Sequence, residues 1–238
     1  MLADQAIFTS ADRRDIRGYQ ITASSSGIDR DLEQELARWS PSNGSLVGNA
    51  ADAESLNVFR LQCGRTVLSR TCFAGPEYSN RGGLRVMTLM LVLPRDGLVG
   101  YQFDSMACLQ SAMALGHLRL TDNDSATLPQ VELPDRPIGR ASSYAAIAPS
   151  KSTQDWFATL RQSTRSVVIG CVSPIGLLHQ WIQETIPEER GLISFCTGLN
   201  PSGDRPFRLA FLPRVNASLK RRLTNQSVQV LTAPLPAN

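Results

Sequence analysis

The sequence predicts an α+β protein, in which an antiparallel β-meander with helices is followed by a βαβ-type parallel unit. Short segments with strand-like alternation, separated by turn residues, fill most of the first half. Strands and helices alternate in the second half, which indicates at least one right-handed crossover between parallel strands. The chain has 238 residues, of which 42% are hydrophobic and 19% charged, so it can bury a sizeable core.

The first elements are two short strands and a helix. Residues 5–9 and 18–24 are predicted strands on either side of the charged turn Asp12-Arg13-Arg14-Asp15. Residues 28–39 form a predicted amphipathic helix, because four apolar residues recur on one stripe, namely Ile28, Leu32, Leu36 and Trp39. Acidic residues in its first turn complement the helix dipole.

A hairpin and a buried strand come next. Residues 57–62 and 66–73 alternate and are joined at Cys63-Gly64-Arg65, which predicts a hairpin. Residues 85–93 are almost continuously apolar, a pattern typical of a strand covered on both faces. The turn residues 94–97 predict that residues 98–103 return as an antiparallel strand.

A second helix and a long loop complete the first half. Asp104 is a predicted N-cap for a helix that carries Met106, Leu109 and Met113 and ends at Gly116. Residues 121–140 are rich in proline and acidic residues and show little periodicity. We therefore expect a β-rich part with two helices at residues 1–120, a linker or long surface loop at 121–150, and an α/β part at 151–238. The two parts are expected to pack as one compact unit.

The α/β part alternates helices and strands. Its predicted helices cover residues 151–161, 174–186 and 215–223, and its predicted strands cover residues 166–172, 192–197, 206–212 and 227–231. The longest of these helices begins at Ser173-Pro174, a favourable N-cap and first-turn pair. Pro187 is predicted to end it.

Composition argues against several classes of protein. The net charge of +3 gives no reason to expect nucleic acid as a partner. No segment reaches the roughly 20 apolar residues that a membrane helix needs. The N-terminal sequence lacks the basic start and long apolar segment of a signal peptide, so we expect a cytoplasmic protein without a membrane partner.

Cysteine and histidine usage gives no sign of a metal site or a cofactor. The five cysteines form no C-x-x-C pair, and the chain has two histidines. Cys171 or Cys196 with His179 is the available thiol–imidazole pairing, but both cysteines lie in predicted buried strands. We therefore predict no catalytic residues, and the sequence leans away from an enzyme.

One loop has the composition of an anion-binding site. Glycines free its backbone N–H groups and two arginines add charge; its candidate residues are Tyr78, Ser79, Asn80, Arg81, Gly82, Gly83 and Arg85. Ser173 at a strand-to-helix junction is a second candidate, and the serine-rich turn at residues 23–27 is a third. Each also has a purely structural explanation, as a turn before a strand or as a helix cap.

Two stretches together resemble a known family. The chain opens with QAIFTS at residues 5–10 and GYQITAS at residues 18–24. A later stretch, residues 182–212, carries Ile186-Pro187, Ser194-Phe195, Thr197-Gly198-Leu199 and Arg205-Pro206-Phe207. Both resemble the N-terminal domain of the bacterial GTPase-associated proteins, over roughly residues 5–212. Ile186 stands where the family pattern has leucine.

The resemblance implies an adaptor that acts beside a dedicated GTPase in multi-gene bacterial systems of defence or conflict. The middle and C-terminal domains that usually follow are not present here, which implies a standalone version. An adaptor needs exposed aromatic and arginine anchors. The candidates are Tyr78 with Arg81, and Arg205 with Phe207.

Two other functions stay open at this point. The chain could be a small-ligand or nucleotide-binding protein, or a hydrolase, that uses the loop at residues 79–85 and the helix N-terminus at Ser173. It could also be a structural subunit of a larger assembly. The sequence favours a protein partner, such as a GTPase, and leaves a small ligand open.

Overall fold

The computed structural model describes residues 1–13, 16–48, 52–77, 83–120, 125–136, 151–202 and 205–234. These residues form ten strands: β1 Leu2–Arg13, β2 Ile16–Ser24, β3 Glu54–Arg60, β4 Thr66–Pro76, β5 Leu84–Val92, β6 Val131–Glu132, β7 Ser166–Ile169, β8 Phe195–Cys196, β9 Leu209–Leu212 and β10 Gln229–Thr232. They also form six helices: α1 Arg30–Trp39, α2 Ser105–Ala114, α3 Lys151–Gln162, α4 Pro174–Gln183, α5 Pro187–Arg190 and α6 Ala217–Asn225.

All ten strands belong to one mixed sheet. Nine follow the order β10-β7-β9-β8-β3-β4-β5-β1-β2, and β6 pairs with the start of β1. Strands β3, β4 and β5 form the predicted meander, and β1 and β2 form a hairpin that pairs with β5, all antiparallel. Strands β10, β7, β9 and β8 are parallel. The predicted α+β class, with its parallel unit in the second half, is confirmed.

Apolar side chains cover both faces of this sheet. One core contains Leu89 and Leu91 of β5 together with buried residues of α2, α3 and α4. The other contains Met90 and Val92 of β5 with residues of α1 and α6. The prediction that β5 is buried on both faces is therefore correct.

The predicted cap of α2 is confirmed, because the Ala107 N–H donates to Asp104 at 2.9 Å. In α1 the Leu32 N–H donates to Asp29 at 2.9 Å, so Asp29 is the N-cap of a helix that the sequence predicts to begin at Ile28. Met106 and Leu109 are fully buried, but Met113 is 37% exposed. Helix α2 buries a face that also includes Cys108 and Ala112, so Met113 lies at the margin of that face.

The predicted strand at residues 98–103 does not form. A 3₁₀ turn, Val99–Tyr101, stands there, and Gln102 and Phe103 follow in the left-handed region with φ of 50° and 60°. Both edges of β5 are already paired, with β4 and with β1, so no place is left beside β5 for a returning strand. The turn instead packs against residues 134–135, where the Tyr101 hydroxyl donates to the Pro134 carbonyl at 3.0 Å.

The second half follows its predicted order with shorter elements. Strand β7 ends at Ile169 because Gly170 turns the chain with φ of 72°. Helix α4 ends at Gln183, and Pro187 begins the short helix α5. Antiparallel pairing of β3 with β8 at Asn57 and Val58 joins this part to the first half.

Candidate functional site

The predicted anion-binding loop lies only partly within the described residues. Tyr78, Ser79, Asn80, Arg81 and Gly82 lie outside the described residues. At the stem, the Glu77 N–H donates to the Gly83 carbonyl at 2.9 Å, and Arg85 Nε donates to the Ala74 carbonyl at 2.9 Å. On the β4 side of this stem, the β4–β5 register shifts between Phe73 and Pro76, where Gly75 has a φ of 78°. The binding role of the loop stays a prediction.

Ser173 lies on a different part of the sheet from Arg85, the described arginine at the end of that loop. Its hydroxyl accepts from the Gly176 N–H at 3.3 Å, as expected for the N-cap of α4. Ser173 follows β7, which lies five strand positions from β5. At about 4.8 Å per strand, β7 and β5 lie about 24 Å apart across the sheet. The structure therefore does not bring Ser173 and Arg85 together.

Phe207 is buried, and Arg205 is half-buried. Phe207 is 6% exposed and packs edge-on against Phe59, with 5.9 Å between ring centroids. Arg205 donates to the Asn200 carbonyl at 3.0 Å and to Ser45 Oγ at 2.8 Å, and burial lowers the pKa of its guanidinium. Arg205 thereby connects its own segment to Ser45. Phe207 is too buried to act as an exposed anchor, Arg205 is half-buried, and a binding role for them stays a prediction.

The thiol–imidazole pairing finds no support. Burial raises the pKa of Cys196 to about 12, and it also raises the pKa of Cys171. A thiol of that kind holds its proton at neutral pH and is a poor nucleophile. Within the described residues, no group of three or more His, Cys, Asp or Glu side chains could hold a metal ion.

A cleft lies where β3 extends beyond the end of its neighbour β8. The register pairs Asn57 with Cys196 and Val58 with Phe195, and its continuation would place Ile193 opposite Arg60. Ile193 instead donates its N–H to the Arg190 carbonyl at 3.1 Å, in a turn that follows α5. The two segments, residues 59–60 and residues 193–194, are therefore not paired as strands, and a cleft of about 120 Å³ lies beside them.

The lining of this cleft is apolar with a few polar groups. Leu98, Ile193 and Pro206 contribute apolar surface, and Arg60 and Arg190 are the charged residues of the lining. Ser105, in the first turn of α2, also lines it. The Ser105 residue is 2% exposed, and its hydroxyl has no hydrogen-bond partner among the described residues.

Four exposed apolar side chains lie on two segments that come together beside the cleft, where Phe103 meets Gly191. They are Val99 at 56% and Phe103 at 37%, in and just after the 3₁₀ turn, and Ile186 at 58% and Leu192 at 59%, on either side of α5. Phe103 packs over Gly191, where a Cβ would lie 3.4 Å from the ring. We call these four residues the Phe103 patch.

The walls of the cleft are fixed by polar contacts. Gln183 Nε2 donates to Asp104 Oδ2 at 2.9 Å, which ties the end of α4 to the cap of α2. Arg190 donates to the Thr185 carbonyl at 2.8 Å and to the Gln183 carbonyl at 3.2 Å. Sequence reasoning missed this site because it treated residues 98–103 as a strand, in which Phe103 would have been one of several alternating side chains.

Comparison with known proteins identifies the family of the first half. Residues 2–134 match the family described as GTPase-associated protein 1, N-terminal domain type 2. This chain belongs to that family. No curated protein and no solved structure matches it.

The matched residues of this GTPase-associated protein 1 domain contain β1 to β6 with α1 and α2. They include the opening stretches at residues 5–10 and 18–24, and the family resemblance is confirmed. The motifs at residues 182–212 lie outside the match. The cleft lies at the boundary, because Arg60, Leu98 and Ser105 are inside the matched residues while Arg190 and Ile193 follow them. Over the described residues, no helix combines the length and apolarity needed to cross a bilayer.

Proposed function

We propose that this chain is a non-catalytic, cytoplasmic interaction module of a GTPase-associated system, and that it docks the GTPase of that system through the Phe103 patch. Family membership supports a GTPase-associated role. The observation that carries the docking surface is the Phe103 patch itself, four exposed apolar side chains on two elements that meet.

The backbone at Phe103 strengthens this proposal. A non-glycine residue in the left-handed region costs roughly 1–2 kcal/mol, and here two such residues follow one another. Strain of this kind is concentrated at functional sites. In this chain it holds an aromatic ring at the surface, and aromatic anchors dominate the energetics of many protein interfaces.

The alternative of ligand binding by the loop at residues 79–85 together with Ser173 has less support, because five strand positions separate Ser173 from Arg85. It predicts that millimolar nucleotide raises the melting temperature by mass action. An unchanged melting temperature in the presence of GTP, ATP and inorganic phosphate would remove this alternative.

Affinity purification of the tagged chain from its native cells, followed by mass spectrometry, tests the proposal. Phe103→Ser and Leu192→Ser each remove one apolar side chain of the patch. Val172→Ser is the matched control, because Val172 is 94% exposed and lies between β7 and α4, away from the patch. All variants are first compared with the parent chain by thermal unfolding.

The expected result is that the parent chain and Val172→Ser recover the same GTPase. Recovery with Phe103→Ser is expected to fall about tenfold or more, because truncation of an interface hot spot costs about 2 kcal/mol or more. Repeated purification of the parent chain without a GTPase would overturn the proposed partner. Equal recovery by all four chains would overturn the proposed surface.

A further inference from the structure

The cleft beside β3 exposes a piece of unpaired sheet edge. The Leu61 N–H donates to the Arg65 carbonyl, so odd-numbered residues of β3 pair toward β4. The Thr197 N–H donates to the Leu56 carbonyl, so even-numbered residues face β8. Arg60 is even-numbered and lies beyond the end of β8. Its main-chain N–H and carbonyl therefore face the cleft, where an extended peptide could pair with them.

The lining of the cleft also carries two positive charges, those of Arg60 and Arg190. Arg60 donates to the Gly64 carbonyl, and Arg190 donates to the carbonyls of Gln183 and Thr185 at the end of α4. Neither arginine forms an ion pair with a described residue. Within the part of the chain that the structure describes, no acidic side chain lines the cleft. A planar carboxylate is the group that arginine side chains bind best among protein functional groups.

The size and polarity of the cleft restrict what enters it. A volume of about 120 Å³ is close to that of an engineered cavity that holds benzene, so one apolar side chain fills it. The apolar surface of Leu98 and Ile193 suits such a side chain better than a phosphate group. The unpartnered Ser105 hydroxyl can donate one hydrogen bond to an oxygen beside it.

We propose that the cleft receives the C-terminus of a partner chain, with its apolar last side chain in the cavity, its carboxylate between Arg60 and Arg190, and its main chain paired with Arg60. This inference rests on the proposed function, because it names the segment of the partner that docks. It joins the cleft to the Phe103 patch in one surface, since Leu192 belongs to both.

Fluorescence anisotropy with the full purified chain tests this proposal. The probes are labelled hexapeptides that end in Leu, Val or Phe with a free carboxylate, and the same peptides with an amidated C-terminus. The variants are Arg60→Gln, which removes one cation from an exposed position, and Ser105→Ala, which removes the unpartnered hydroxyl. Arg30→Gln is the matched control, because Arg30 is an exposed arginine at the start of α1.

At least one free-acid peptide is expected to saturate the chain below about 1 mM, and its amide is expected to bind about tenfold more weakly. Arg60→Gln and Ser105→Ala are each expected to weaken the acid peptide about tenfold, and Arg30→Gln is expected to leave it unchanged. The proposal is overturned if no acid peptide binds in that range. It is also overturned if acid and amide bind equally, or if Arg60→Gln and Arg30→Gln behave alike.

Parallel purification from native cells separates this proposal from the proposed function. If a GTPase is recovered with the parent chain and with Arg60→Gln alike, and no peptide binds, the docking function stands and the cleft proposal fails. If the acid peptides bind as described but no GTPase is recovered, the cleft proposal stands and the proposed partner fails.

Discussion

Arg65 and Asp4 form an ion pair inside the fold, with 2.5 Å between Arg65 Nη2 and Asp4 Oδ2. The pair connects the β3–β4 hairpin to β1, and Gln130 Nε2 donates to the second carboxylate oxygen at 2.8 Å. Arg65 also donates to the carbonyls of Val92 and Leu93 at the end of β5. Four segments that are distant in sequence are thus held at one point.

The first prediction concerns this pair. Asp4→Ala leaves the Arg65 charge without its partner, and breaking a buried ion pair in this way costs about 3–5 kcal/mol of unfolding free energy. Glu54→Ala is the control, since it removes the Arg70–Glu54 pair, whose carboxylate is 42% exposed, and is expected to cost about 0–1 kcal/mol. Denaturant unfolding measures both. Equal losses would contradict the importance assigned to the buried pair.

The second prediction concerns Gly100 in the 3₁₀ turn. A Cβ at this position would lie 1.8 Å from the Asp135 carbonyl oxygen, so the turn must move away from residues 134–135. Gly100→Ala is expected to cost about 1–3 kcal/mol or more. Gly83→Ala is the control, because its Cβ would meet nothing closer than 3.4 Å. Thermal unfolding of both variants checks this, and a Gly100→Ala chain as stable as Gly83→Ala would show that the contact is not tight.

A third prediction compares two buried serines. The Ser105 hydroxyl has no partner among the described residues, whereas Ser55 Oγ donates to Asn57 Oδ1 at 2.7 Å and accepts from the Gly198 N–H at 2.9 Å. Ser55→Ala leaves two buried polar groups unsatisfied and is expected to cost about 2 kcal/mol or more. Ser105→Ala is expected to leave the unfolding free energy unchanged or slightly raised. A large loss at Ser105 would mean that its hydroxyl is bonded in solution.

The fourth prediction is a dependence of stability on pH. Burial raises the pKa of Cys108 and of Cys196 from an ordinary value of 9.0 to about 12. The folded chain thus keeps these protons at pH values where the unfolded chain loses them. The stability that results is complete below about pH 9 and is lost as the pH rises toward 12.

Unfolding by denaturant at about pH 8 and about pH 10 measures this effect. Other groups also titrate in this range, so the parent chain is compared with Cys196→Ala. The parent chain is expected to lose more stability between the two pH values than the variant does. The same loss in both chains would show that Cys196 is not the source.

Local patterns in the sequence were sufficient to predict most elements. The cap residue Asp104 begins its helix as expected, and the apolar run at residues 85–93 is the strand with two buried faces. These features depend on neighbours within a few residues, such as a side chain that accepts from an N–H three positions on. The alternating order of the second half was read correctly for the same reason.

Residues 98–103 show where local pattern was not enough. Their alternation is compatible with a strand, but whether a strand forms depends on whether a free sheet edge lies beside it. Here β1 and β4 occupy both edges of β5. The long-range pairing of β1 with β5 therefore decides the conformation of a segment that follows β5 directly.

By itself the sequence determined the fold class, the family and the helix starts at Asp104 and Ser173, because these follow from composition, periodicity and motifs. Only the tertiary structure decided which polar and apolar groups share a surface. Arg60 and Arg190 are 130 positions apart (190 − 60), and they line one cleft because β3 extends two residues past its partner β8. Of the two residues that the sequence favoured as anchors near the end of the chain, Phe207 is buried against Phe59, while Arg205 is half-buried and bonded to Ser45. Such outcomes depend on strand register and on packing between distant segments, which no local pattern encodes.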